Sequence, residues 1–336
     1  MRRIGWLLIL GLANLGTLAQ GSLSLVALLA RPQQALNLQL AQANVDAAEE
    51  ILSQLRADPT TLKADLLIAQ SSVAEAQANL IQARLQNQVN LAQAVFNVVA
   101  ADQRKDLDQA RLAQAQVELG VARERVRLGS GTNLAVEQAQ AALTQAQQDL
   151  RVDEVQLGVQ RELLRNLLGL RELPALDAQV PATAPIPNLN AIRAASLRVP
   201  AVLKALGTVE VAKLKLDQSQ TESTPLNQRS AARQALLSAQ LEYQFQVQTA
   251  RQTAEQAYIR ALSTQAALEA ARAALNAQEA ALKTAQSQER AGTVSRLQVQ
   301  ALMLGVGQTR FAALQAQQAA YLARLQLELT APQEVK

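Results

Sequence analysis

The densest run of ionisable side chains lies between Asp102 and Glu118, where Asp102, Asp106, Asp108 and Glu118 alternate with Arg104, Lys105 and Arg111. Paired carboxylates do acid–base work when their surroundings push their pKa values apart. At spacings of three and four on a helix, the same residues form ordinary surface ion pairs. No phosphate-binding glycine loop follows a strand pattern. Histidine and cysteine are both absent, which removes thiol chemistry, disulfides and histidine-based acid–base or metal sites. No catalytic residue, cofactor or metal is therefore expected, and the chain reads as a non-enzyme. A net charge of +4, without basic runs interleaved with aromatics, gives no support for nucleic-acid binding.

The residues that stand out instead are glycines. The stretch RLGSGTNLAVEQ, from Arg127 to Gln138, interrupts a long Ala/Leu/Gln/Arg run, and ERAGTVSRLQVQ, from Glu289 to Gln300, does nearly the same. A tight reversal from one helix into the next needs a left-handed residue, and glycine takes that conformation without steric cost. Gly129, Gly131 and Gly292 are thus expected at two helix-to-helix turns.

The elements around these turns must be helices. Alanine makes up about one residue in five, whereas only 2% are aromatic, so the core is expected to consist of thin helix seams filled by Ala, Leu and Val. Leucine or valine recurs every seven residues at Leu66, Val73 and Leu80, at Leu112, Leu119 and Val126, and at Leu143, Leu150, Leu157 and Leu164. The second half repeats the habit at Leu268, Leu275 and Leu282, with small residues such as Ala271 and Ala285 three places on. A seven-residue repeat implies left-handed supercoiling with knobs-into-holes packing.

The chain reads as two copies of one unit: short helix, polar turn, long helix, glycine turn, intermediate helix. The polar turns are Ala57-Asp-Pro-Thr-Thr61 and Thr221-Glu-Ser-Thr-Pro225, and Pro32 and Pro200 each open a helical stretch. A helix from about Thr61 to Leu128 would run roughly 100 Å, and its two flanking helices sum to nearly that length. Two shorter helices can therefore stack end to end beside one long one, in each half. The first repeat is assigned to 20–170 and the second to 193–331, with a tail at 332–336. The Pro-rich linker at 171–192 carries four prolines, which end the helix at about Leu170. Residues 1–19, with Arg2-Arg3 and the apolar IGWLLILGLANLGTLA before Ala19, are read as a secretory signal peptide, with an uncleaved anchor as the alternative.

On these features the chain resembles the TolC-type outer-membrane efflux proteins. The resemblance rests on AVFNVVAA at 94–101, on the tract from Gly129 to RELLRNLLGL, and on QAYIRALSTQ and AGTVSRLQVQALM in the second half. It implies an all-α tandem repeat of long antiparallel coiled-coil helices, the protomer of a trimeric α-barrel. It further implies an efflux or type I secretion role in the envelope of a two-membrane bacterium. The expected partners are a homotrimer, a periplasmic adaptor (membrane fusion protein) and an inner-membrane pump. The adaptor-docking tips would be Ser130-Gly131-Thr132 and Ala291-Gly292-Thr293. Glu137 falls where members carry an acidic residue at the narrow end; Gln298 is its expected repeat partner, and Arg296 a candidate ion-pair partner.

One departure qualifies this reading. Members cross the outer membrane with two β-strands inserted in each half, between the short and long helices. A membrane-crossing strand takes about 9–11 residues, and neither ADPTT nor TESTPLN holds one. The transmembrane strands are expected to be absent. Two functions follow: a component that forms or extends a periplasmic conduit, or a barrel-less coiled-coil scaffold without transport. A helical lipid-surface protein is disfavoured, because Gln/Ala faces are too weakly apolar for strong adhesion.

Overall fold

The computed structural model describes residues 36–174, 185–220 and 224–332, together with Leu28, Leu176, Val180 and Pro181. The signal-peptide assignment and the helix-opening role of Pro32 lie outside these residues. Among the described residues the fold is all-α, as expected, and holds no strand; Leu176 forms one isolated bridge.

The first half contains α1 (Leu36–Ala57), α2 (Lys63–Arg127) and α3 (Asn133–Leu168). The second contains α4 (Leu189–Ala195), a 3-10 turn at Ser196–Arg198, α5 (Pro200–Gln218), α6 (Leu226–Arg290) and α7 (Arg296–Thr330). The long helices α2 and α6 have 65 residues each, about 100 Å at 1.5 Å per residue. Helices α1 and α3 pack along α2, and α5 and α7 along α6, while α2 also packs against α5 and α7. The order of columns is therefore α1/α3, α2, α5/α7, α6. Leucine 107 meets Gly307 of α7, and Ser71 meets Gly207 of α5, so both glycine turns lie at the same end.

Every heptad Leu or Val named above is buried or half-buried, so the seven-residue habit marks the seams. The main core gathers Val95, Phe96, Val98 and Val99 of the AVFNVVAA stretch with Leu157 and Leu164 of α3 and Leu325 of α7. The rings of Phe96 and Tyr321 meet edge-to-face at 5.6 Å, placing two of the few aromatics where they bury most. The linker supports this core from outside: Leu173, Leu176 and Val180 pack on it, and Gln317 donates to the Val180 carbonyl at 3.4 Å. Elsewhere the seams are thin. The accessible surface is 22112 Å², against about 13,000 Å² for a compact protein of this mass.

Helix starts and stops follow local chemistry. Helix α3 ends at Leu168, with Gly169 left-handed at φ 62°, just short of the expected Leu170. Asn188 caps α4 by accepting from the Ala191 amide; this short helix ahead of Pro200 was not anticipated. Pro200 opens α5 as its first residue, where its missing N–H costs nothing.

Candidate docking tips and association edges

The two tips are built alike. At the end of α2 the Ser130 amide donates to the Arg125 carbonyl and the Gly129 amide to that of Val126; at the end of α6 the Thr293 amide donates to Gln288 and the Gly292 amide to Glu289. This is the Schellman closure, with glycine at the left-handed position: φ is 71° at Gly129 and 75° at Gly292. The Ser130 and Thr293 hydroxyls donate to the same carbonyls as their amides. Thr132 and Ser295 then cap α3 and α7, and Ser295 forms a full capping box with Gln298.

This geometry shifts the match between the tips by two residues. Gly129, not Gly131, is the counterpart of Gly292, so Ala291-Gly292-Thr293 corresponds to Leu128-Gly129-Ser130. Gly131 does not have a positive φ. It is glycine because a Cβ there would stand 2.9 Å from the Arg125 Cβ and the Val126 nitrogen. Counting from the caps, Glu137 corresponds to Gln300, and Gln298 to Ala135. Glu137 and Arg296 are both exposed and form no ion pair among the described residues, since α3 and α7 each pack on α2 and do not pack extensively on each other. Beside them Arg127 forks onto both oxygens of Glu124, and that guanidinium holds the Glu124 carboxyl below its usual range.

The outermost columns carry apolar stripes that no described element covers. On α3, Val152, Val155, Val159, Leu163 and Leu167 are all at least half exposed; on α6, Leu237, Leu241, Phe245 and Ile259 are too. Spacings of three, four and fourteen put each set on one helix face. Seven-residue periodicity had marked the seams inside the protomer; the outer stripes needed knowledge of which helix faces were already used.

One polar feature differs from expectation. Lys105 sits 3.5 Å from Asp102, and Arg111 2.9 Å from Asp108, as surface pairs should. Asp108 itself is buried, however, and faces the equally buried Asp153 across the α2–α3 seam. Burial, then the Asp108 carboxyl, pushes the Asp153 carboxyl above the usual range, against the pull of Arg104 at 3.4 Å. Intrahelical spacing showed only the Arg111 side of Asp108; the facing acid lies 45 residues away in sequence.

At the opposite end, five residues (58–62) join α1 to α2 and seven (219–225) join α5 to α6. Asp58 closes the first connection by accepting from the Thr60 amide and hydroxyl at 2.8 and 2.7 Å. Neither connection has the length of a membrane-crossing strand.

No family model matches the chain, and no curated protein is significantly similar to it in sequence. Solved structures are similar in fold. They include CusC, described for conformational changes accompanying folding and transmembrane channel formation, at 17% identity and a TM-score of 0.60 over 88% of this chain and 92% of that one. The outer-membrane protein VceC of Vibrio cholerae matches at 16% identity and 0.57, covering 89% and 93%. The open-state MtrE outer-membrane channel of Neisseria gonorrhoeae matches at 15% and 0.60, covering 91% and 88%. Over about nine-tenths of its length, the chain has the helical fold of TolC-type outer-membrane channels.

Proposed function

We propose that this protein is a TolC-like envelope component that forms or extends a periplasmic helical conduit. It acts as a homotrimer whose glycine tips meet a periplasmic adaptor serving an inner-membrane pump. The observation that carries this reading is the pairing of two features in one fold of the channel type. Both tips stand at one end, and both outer columns keep an apolar stripe that only another copy of similar shape would cover along its length. A row of helical columns with two different edges can close into a ring when each α3 edge meets the next copy's α6 edge. Ser130-Gly131-Thr132 and Ala291-Gly292-Thr293 form the docking surface in this reading, with Glu137 and Arg296 just behind. The protein resides in the cell envelope of a two-membrane bacterium, in the periplasm or against the outer membrane.

Light scattering on the purified chain, followed by conductance across a planar bilayer, tests this. A trimer is expected, without conductance on its own, because two short turns leave no closed barrel to satisfy backbone groups in lipid. A stable monomer would overturn the conduit. The same short connections favour a second reading, a periplasmic scaffold or spacer without transport. That reading gains if the trimer forms but no adaptor hairpin engages its tips.

A further inference from the structure

The tip surface is cationic and apolar together, and its charges are not used up among the described residues. Between 123 and 137 and between 283 and 296 there are six basic side chains, against Glu124, Glu137 and Glu289. Glu124 is already engaged by Arg127. Arg125, Arg290 and Arg296 are exposed, and none of them pairs with a carboxylate among the described residues. Arginines in the last turn of a helix complement the negative end of its dipole, which accounts for Arg125 and Arg290 without any partner. Arg296 has no such account. It is the first residue of α7, where free N–H groups already make the helix end positive, and no acidic residue stands in that first turn. The corresponding place in the other tip holds the neutral Asn133. Around these cations Leu128, Leu134 and Leu297 are 65%, 62% and 36% exposed.

We infer that the tips receive an acidic partner: the end of a helical hairpin that presents carboxylates on either side of an apolar residue. This rests on the docking reading above and adds the partner's chemistry to it. The apolar residue covers the tip leucines. One carboxylate lies at the start of α7, where both the Arg296 guanidinium and the helix dipole favour an anion.

The test uses the purified full chain and two fluorescein-labelled helical hairpin peptides. Their turns read Glu-Leu-Glu in one and Lys-Leu-Lys in the other, and binding is followed by anisotropy. The acidic hairpin is expected to bind at least tenfold more tightly than the lysine one, with the advantage shrinking at high salt. Arg296→Gln should weaken it, and Arg125→Gln/Arg290→Gln/Arg296→Gln should abolish the preference. Lys63→Gln, at the opposite end, should leave it unchanged, and circular dichroism verifies that each variant keeps its helices. Equal or better binding of the lysine hairpin overturns the acidic-partner inference while leaving tip docking intact. Binding of neither hairpin overturns both. Arginine-dependent capture of phosphatidylglycerol vesicles in preference to the acidic hairpin also overturns the inference, assigning the surface to lipid.

Discussion

Gly129 and Gly131 stand two residues apart in one turn and are glycine for different reasons. The first has open space around its Cβ position and a left-handed backbone; the second has an ordinary backbone and no room. Gly129→Asn should therefore be nearly neutral, because Asn tolerates the left-handed region, while Gly129→Ala costs about 1–2 kcal/mol. At Gly131 both substitutions should cost about 1–3 kcal/mol, since a new Cβ must push backbone aside. Urea unfolding of the four variants checks this, and equal tolerance of Asn at both sites would contradict the assignment. The sequence shows that a turn is present, but two glycines in one turn leave open which one is left-handed. A second residue-scale expectation concerns Asp153, which faces Asp108 and Asp149 with Arg104 beside it. An acid whose pKa is raised on folding contributes most when protonated, and that contribution is lost as pH rises through the folded-state value. Asp153→Asn should match the native chain in melting temperature at acid pH and exceed it as pH rises from the ordinary aspartate range through the raised folded-state value, with no further gain above it. A constant difference would show that the shift is not felt by the fold.

The helices differ in how closely they approach, and two glycines report this. Gly207 of α5 lies so tightly on α2 that a Cβ would stand 1.8 Å from the Ser71 hydroxyl oxygen and 2.6 Å from its Cβ. This crossing is where the second repeat's short helix joins the first repeat's long one, beside the Lys204–Glu75 pair at 3.3 Å. Gly207→Ala is expected to destabilise by about 1–3 kcal/mol. By contrast, Gly120 of α2 meets nothing within 4 Å, and Gly120→Ala should stabilise by about 0.5–1 kcal/mol through helix propensity alone. Thermal melts of the two variants should move in opposite directions; stabilisation at both sites would mean that propensity, not packing, governs them, and destabilisation at both would mean that Gly120 is packed as well. Long helices, glycine turns and in-chain seams were legible because each writes a local signal: a seven-residue repeat, a breaker, a polar cap. The Gly207 crossing, the Asp108–Asp153 contact and helix α4 were not. The first two depend on which distant helix is the neighbour, and α4 is seven residues announced mainly by its Asn188 cap.

For the whole molecule the decisive property is that its two edges are different surfaces. A ring built from them joins the α3 edge of one copy to the α6 edge of the next, so each copy uses both edges once. Charges placed in a buried apolar seam are costly, which allows each edge to be disabled separately. Val155→Asp/Leu163→Asp alters the α3 stripe, and Leu241→Asp/Phe245→Asp alters the α6 stripe. All four positions are at least half exposed in the protomer, so folding should survive while association fails. Either variant alone should run as a monomer of the 36.0 kDa chain, since every contact in a pure sample would contain one damaged edge. Mixed in equal amounts, the two should form a one-to-one dimer and stop there. The intact α6 edge of the first meets the intact α3 edge of the second, and the remaining pair of edges carries both sets of aspartates. Light scattering of the separate and mixed samples distinguishes this from like-edge pairing. In that case one variant alone would still dimerise, through its undamaged edge meeting the same edge of a second copy, and the closed conduit would be excluded by its own symmetry.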